Sequence, residues 1–213
     1  MSRVALLPAS QPGSIERAVA LLRAGEVVAL PTDTVYGLGT HGFLAAAIEK
    51  LYAIKGREET KAIPLLIARV EDVEHVAEDV PEIAWRMAER FWPGALTLVL
   101  RKAANVLDVL TGGGDSVAVR VPAHDVALEL ISTLGVALAA TSANLSGQPP
   151  AVTAQEVRGA LGERVAFILD GGRCPGGVAS TVVDLTVDPP LIRRRGTLAG
   201  EVEAMLRSVS RYS

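Results

Sequence analysis

Four polar clusters stand out in this 213-residue sequence because each adjoins a short apolar run. PTDTVYGLG follows Val27 to Leu30, SVAVRVP encloses Arg120, TSANLSGQP follows Val136 to Ala140, and Ala179-Ser180-Thr181 leads into VVDL. The segment KGREETK adds Lys55, Arg57 and Lys61. Hydroxyls and amides read the polar edge of a small ligand, and Lys and Arg make charge-assisted bonds to phosphate or carboxylate oxygens. One by one the clusters are ordinary turn chemistry, and KGREETK is an ordinary helix end favoured by the macrodipole. Together they predict one small-molecule crevice where the carboxyl ends of parallel strands converge.

Other chemistries find little material. The imidazoles are His41, His75 and His124, with no HExxH or GxSxG pattern around them. DGGRCPGGVAST has glycines but lacks the lysine of a phosphate-binding loop, and Gly37 with Gly39 is only a short GxG. The single Cys174 offers neither a disulfide nor a CxxC zinc pair, which fits a reducing, cytoplasmic setting. Lys plus Arg is 21 and Asp plus Glu 24, a net charge of −3, unlike a protein that lives on duplex phosphate. The densest apolar runs, Gly94 to Leu100 and Gly135 to Ala140, fall short of the ~20 residues a membrane span needs.

Periodicity shows what must hold the clusters in place. Ile15, Ala18, Val19, Leu21 and Leu22 predict a helix over Ser14 to Arg23, with Ser14 as N-cap and Gly25 beyond its end. Val27 to Leu30 reads as a strand, Pro31 onward as a loop, and Phe43 to Lys55 as a second helix. Further strands are predicted at Ile63 to Ala68, Ala95 to Leu100, Val117 to Val121, Val136 to Ala140, Val165 to Leu169, Thr181 to Leu185 and Pro190 to Arg194. Helices are predicted at Val70 to Ala77, Pro81 to Phe91, His124 to Leu134, Thr153 to Leu161 and Leu198 to about Ser208. This alternation implies an α/β or mixed α+β fold, a twisted mixed sheet flanked by helices with some parallel pairs. With neither repeat nor long linker, one domain over residues 1–213, its core about 14–208, is expected.

In this order and spacing the clusters resemble the YrdC-like family of threonylcarbamoyl-AMP synthases. PTDTVYGLG at Pro31 to Gly39 is similar to the family's opening motif, and KGR at Lys55 to Arg57 with Lys61 is similar to its KxR and downstream lysine. SVAVRVP, TSANLSGQP, STVVD at Ser180 to Asp184 and IRRRG at Ile192 to Gly196 complete a match running from about Ile15 to Gly196. Glu58 and Thr141 stand where prolines are common in the family, and Pro150 where some members carry a serine near the nucleotide. In length the chain is similar to the short bacterial form.

The resemblance implies a YrdC-like fold and a cytoplasmic nucleotidyltransferase. It would join L-threonine, bicarbonate or CO2, and ATP into threonylcarbamoyl-AMP and pyrophosphate, for the threonylcarbamoyladenosine modification of tRNA beside the anticodon. A separate transferase complex would consume the product. Lys55 and Arg57 are the implied catalytic cations, and with Lys61 and Arg194 they would hold the polyphosphate, Mg2+ bridging its oxygens without a dedicated protein metal site. Ser116, Ser142 and Asn144 would meet the nucleotide. Thr32, Thr34, Arg120 and Ser180 would meet threonine, Arg120 forking onto its carboxylate. Tyr36 belongs either beside the ligand or in the core. Two other readings stay open. One is an RNA-binding module, holding tRNA or double-stranded RNA on a surface that includes Arg193, Arg194 and Arg195, against which stand the acidic balance and 4% aromatic content. The other is a subunit of a larger carbamoyl-transfer enzyme, which would carry extra zinc-finger and acylphosphatase-like segments.

Overall fold

A computed structural model describes residues 4–56, 58 and 60–209. Its strands are β1 (Ala5–Pro8), β2 (Val28–Leu30), β3 (Gly37–His41), β4 (Leu65–Leu66), β5 (Leu96–Arg101), β6 (Ser116–Arg120), β7 (Leu138–Ser142), β8 (Phe167–Asp170), β9 (Thr181–Asp184) and β10 (Leu191–Arg194). They form one ten-stranded sheet in the order β1-β8-β2-β3-β7-β4-β6-β5-β9-β10. Four neighbouring pairs are parallel and five antiparallel, so the sheet is mixed, as the alternation of runs predicts. The helices are α1 (Ser14–Arg23), α2 (Ala45–Lys55), α3 (Glu82–Phe91), α4 (Asp108–Thr111), α5 (Asp125–Leu134), α6 (Ala154–Leu161) and α7 (Ala199–Val209).

Side chains alternate along a strand, so register sorts the sheet into two faces. Leu38, Leu65, Leu98, Val119, Ala139 and Val183 point into a core closed by α2, α3, α6 and α7. Val28, Leu30, Leu138 and Phe167 point the other way, under α1 and α5. Each fully buried Leu or Phe in these layers contributes roughly 2 kcal/mol. On this second face, away from α1 and α5, the positions fall to small or short residues: Gly37 on β3, Ala140 on β7, Ala118 on β6 and Thr97 on β5. They leave a hollow of about 470 Å³.

Several elements differ from the sequence reading. β3 occupies GLGTH, where the sequence reads as loop, because glycine conceals the strand. A Cβ on Gly39 would stand 2.6 Å from Leu138 Cδ2, so this close packing against β7 requires glycine. β1 and the single turn of α4 also fall where no element is predicted. The N-cap of α1 is Gly13, with φ 84°, and not Ser14. Ser14 is already helical and buried, its Oγ without a hydrogen-bond partner among the described residues. The segment expected to be α-helical from Val70 to Ala77 is a 3₁₀ helix over Val70–His75.

The β9–β10 hairpin gives a stability prediction. Asp184 Oδ1 accepts the Thr186 N–H (2.9 Å) and hydroxyl (2.6 Å), while Oδ2 accepts Arg193 Nε (3.0 Å) and Nη2 (2.8 Å). Burial pushes this carboxyl up, but the bonds from Thr186 and Arg193 together outweigh burial and hold it below the usual carboxylate range. A folded-state pKa below the unfolded one adds stability above the unfolded value, about 3.9 for Asp, and that stability is lost as pH falls through the folded value. Asp184→Asn is therefore expected to cost about 1–3 kcal/mol at pH 7. Thermal melts should show the gap closing below about pH 4. A gap that does not depend on pH would refute the electrostatic account.

Candidate active site

The hollow is built from three corners. The first is the loop between β2 and β3. Thr32 Oγ1 donates to the Val35 carbonyl (2.7 Å) and accepts the N–H groups of Thr34 (3.1 Å) and Val35 (3.3 Å), which closes the turn. The Thr34 hydroxyl lies 3.0 Å from that of Thr32. Arg120 Nη1 donates to Thr34 Oγ1 at 3.2 Å. Thr34 therefore presents an acceptor to the cleft.

Arg120 ends β6 and is buried. Its Nη2 donates to Asp33 Oδ1 at 2.6 Å and its Nε to the Gly94 carbonyl at 2.9 Å. Asp33 Oδ1 also accepts the Ala123 N–H (3.0 Å), which ties the loop to the segment leading into α5. Burial lowers the guanidinium from its ordinary pKa and Asp33 opposes that shift, so the charge persists. Of its five N–H groups, three serve Asp33, Thr34 and Gly94. The open two-pronged fork expected from the sequence is thus already partly committed.

The second corner joins α2 to β7. Lys55 is the last residue of α2, and Gly56, at φ 60°, turns the chain away. The ammonium group is buried and donates to the Ser142 carbonyl (2.5 Å), to Ser142 Oγ (3.0 Å) and to Asn144 Oδ1. Asn144 Nδ2 in turn donates to the Gln148 carbonyl (2.5 Å), which aims Oδ1 at the lysine. These three neutral oxygens fix the direction of the ammonium group.

The third corner is the approach to β9. Arg194 donates from Nε to the Ser180 carbonyl (2.9 Å) and from Nη2 to Ser180 Oγ (3.0 Å). Ser180 Oγ also meets Thr97 Oγ1 at 2.7 Å. Gly196 explains the glycine that follows the arginine run: a Cβ there would lie 2.4 Å from the Ala179 carbonyl oxygen and the Thr181 nitrogen. Only glycine lets that backbone pass against the segment that presents Ser180.

Thr32, Thr34, Lys55, Lys61, Arg120, Ser142, Asn144, Ser180 and Arg194 all line this one cleft, as the sequence anticipates. Lys61 sits at its exposed rim, 3.2 Å from Glu58. Ser116 opens β6 opposite Arg101 and is outside the lining, so the structure does not bring it to the others. Arg57 lies outside the described residues. Tyr36 belongs to both the cleft lining and the core: its ring is fully buried, its hydroxyl donates to the Gly172 carbonyl (2.8 Å), and burial with nearby Asp170 pushes its pKa up. No histidine lines the cleft.

The picture of converging parallel strand tips needs correction. β3 and β7 are antiparallel, as are β7 and β4, and the cleft runs across the sheet's face. Leu138 pairs with Leu66 and Leu66 with Arg120, so Arg120 is level with a residue 142 − 138 = 4 positions along β7 from Ser142. At about 3.3 Å per residue, the two ends of the cleft stand roughly 13 Å apart along the strands. Thr97 and Asp33 were missed as partners within the site. For Thr97 the signal is a polar residue among alternating leucines in LTLVL. Asp33, inside PTDTVYGLG, carries only the ordinary signal of a turn residue.

A second cleft, about 740 Å³, lies at the opposite ends of β3 and β7, lined in part by His41, Arg69, Asp72 and His75. Its charges stand on an open rim, Arg69 and His75 lying 3.6 Å and 4.0 Å from Asp72. It gathers no buried cation comparable to Lys55 or Arg120.

The family model for Sua5, YciO and YrdC, described as telomere recombination, matches residues 20–196. The chain belongs to this family. The threonylcarbamoyl-AMP synthase of Pyrococcus abyssi is 43% identical over 196 residues, covering 92% of this chain and 58% of its own. The synthase of Bacillus subtilis is 43% identical over 194 residues, covering 90% and 56%. The crystal structure of P. abyssi Sua5 complexed with L-threonine matches with a TM-score of 0.91 at 41% identity, over 96% of this chain and 61% of that one. The chain thus spans less than two thirds of the length of these relatives. The Sua5/YciO/YrdC fold expected from the motifs is the observed one. Among the described residues no helix is long and apolar enough to cross a membrane.

Proposed function

We propose that this chain is a threonylcarbamoyl-AMP synthase, forming threonylcarbamoyl-AMP and pyrophosphate from L-threonine, bicarbonate and ATP. The observation that carries this reading is the division of one cleft into two chemistries. At one end the ammonium of Lys55 is fixed by Ser142 and Asn144, and Lys61 and Arg194 join it in the lining, which suits phosphate. At the other, Arg120 is compensated by Asp33 while Thr34 presents an acceptor and the Ser180 corner a donor. That end suits a ligand with both carboxylate oxygens and N–H or O–H groups. The names of the relatives, and the L-threonine in P. abyssi Sua5, support the assignment.

In this reading the threonine amine and bicarbonate form a carbamate with loss of water. A carbamate oxygen attacks the α-phosphorus of ATP, and the bond from that phosphorus to the bridging oxygen of pyrophosphate breaks. Charge collects on phosphate oxygens, so the work of the protein is positioning and fixed positive charge. Lys55, Lys61, Arg194 and Arg57 supply that charge, while Ser142 and Asn144 orient Lys55 and meet the nucleotide. Arg120, Thr34 and Ser180 orient the amino acid, Thr32 holding Thr34. Mg2+ bound with ATP would supply further screening of phosphate charge beside Lys55, Lys61 and Arg194. Among the described residues no three His, Cys, Asp or Glu side chains gather to hold a metal, so the cleft's donors to the polyphosphate are cations, hydroxyls and an amide. The product would serve tRNA modification in the cytoplasm through a separate transferase complex. An RNA-binding reading gains no support, because the arginine triplet divides: Arg193 pairs with Asp184, Arg194 turns to Ser180 and Arg195 pairs with Glu203.

Pyrophosphate release from ATP tests the reading. Omitting L-threonine or bicarbonate in turn is expected to bring release down to background. Release that persists without threonine would identify a different nucleotide-cleaving activity and overturn the proposal.

A further inference from the structure

Thr97 is 3% exposed and Ser180 4%, and both line the cleft. Thr97 interrupts the apolar run of β5, with Leu96 and Leu98 directed into the opposite core and Thr97 toward the hollow. Its register partner on β9 is Val182, which carries Ser180 onto the same side two residues earlier. Among the described residues, Thr97 Oγ1 has one side-chain hydrogen-bond partner, Ser180 Oγ at 2.7 Å, and Ser180 Oγ has one other, Arg194 Nη2 at 3.0 Å.

A count of protons shows what this cluster offers. Arg194 only donates, so Ser180 Oγ accepts from it. Between the two hydroxyls one hydrogen bond uses one proton. If Thr97 donates, Ser180 accepts twice and its own O–H is uncommitted. If Ser180 donates, the Thr97 O–H is the uncommitted one. In either arrangement one O–H is left without a side-chain acceptor, and a buried donor left unmatched is costly. The cluster therefore calls for an oxygen acceptor in the cleft, and Thr97 decides where the O–H points. Thr34, across the hollow, accepts from Arg120 Nη1 and keeps a second lone pair to offer a ligand.

We propose that Thr97 is a positioning residue for the amino-acid substrate, its hydroxyl orienting the Thr97–Ser180–Arg194 cluster so that one O–H is directed at an oxygen of that substrate. This rests on the synthase reading for the identity of the amino acid, and the test separates the two. Binding of L-threonine and of a non-hydrolysable ATP analogue is measured by calorimetry in wild type, Thr97→Val and Thr97→Ser, beside threonine-dependent pyrophosphate release. Thr97→Val keeps shape and removes the hydroxyl, so L-threonine is expected to bind about tenfold more weakly while the ATP analogue stays within about twofold. Thr97→Ser keeps the hydroxyl and should restore threonine binding to within about threefold. Combining Thr97→Val with Ser180→Ala should cost no more than the worse single variant, because the two act as one unit. Unchanged threonine binding in Thr97→Val, equal weakening in Thr97→Ser, or equal loss of the ATP analogue overturns the role. Wild-type protein that binds L-threonine in this pattern yet releases no threonine-dependent pyrophosphate overturns the synthase reading and leaves the role of Thr97 standing. Wild-type protein that binds no L-threonine overturns both.

Discussion

Lys55→Met is expected to lower threonine-dependent turnover by about 10²-fold or more, since removing one preorganised charge-stabilising group costs roughly 3 kcal/mol in the transition state. The structure explains why one side chain carries so much. The ammonium sits at the end of α2 with its N–H groups directed at Ser142 O, Ser142 Oγ and Asn144 Oδ1, and Asn144 is itself fixed by the Gln148 carbonyl. The charge is therefore placed before the substrate arrives, and nothing has to reorganise as phosphate oxygens become more negative. Methionine keeps most of the stem's packing and removes only the charge and its donors. Steady-state pyrophosphate release checks the rate, and a thermal melt of the same variant checks that the fold survives. A folded variant within about threefold of wild type would return Lys55 to the role of a well-capped helix end, the bland reading of KGREETK.

The limits of sequence reading follow from which contacts are local. The Thr32–Thr34 turn closes within four residues, and TSAN presents Ser142 and Asn144 two residues apart, so their joint action can be read from spacing. Thr97 meets Ser180 across 83 residues and Arg120 meets Asp33 across 87. Strand register brings the first pair together and the order of strands in the sheet the second, and neither is written in either segment alone. β3 fails for a different reason. A Cβ on Gly39 would come within 2.6 Å of Leu138, yet glycine weakens every local signal of a strand. The arginine triplet shows the converse error: three neighbours in sequence read as one basic surface, but Arg193 pairs with Asp184, Arg194 turns to Ser180, and Arg195, beyond the end of β10, pairs with Glu203.

Asp33→Ala is expected to destabilise the protein by about 3–5 kcal/mol, because it strands one partner of a buried ion pair. The pair is enclosed, with the Arg120 and Asp33 side chains 8% and 13% exposed and 2.6 Å apart. Solvent screening therefore does little to soften the loss. Without Asp33 the guanidinium keeps Thr34 Oγ1 and the Gly94 carbonyl, both neutral, and the Ala123 N–H loses its acceptor as well. For a chain of this size, where about 1 kcal/mol moves Tm by roughly 2–4 °C, the melt should fall by roughly 6–20 °C. Asp33 does not line the cleft, so any effect on threonine passes through Arg120 or through the loop that carries Thr32 and Thr34. Asp33→Asn separates charge from shape: it keeps an acceptor for both donors and should lose clearly less than alanine. The double variant Asp33→Ala with Arg120→Met removes both charges, and a buried pair deleted as a unit costs little or nothing. Its Tm is therefore expected to recover well above that of Asp33→Ala alone. A double variant as unstable as the sum of its single changes would show that Asp33 holds the loop through the Ala123 N–H alone, and that the charge of Arg120 does not depend on it.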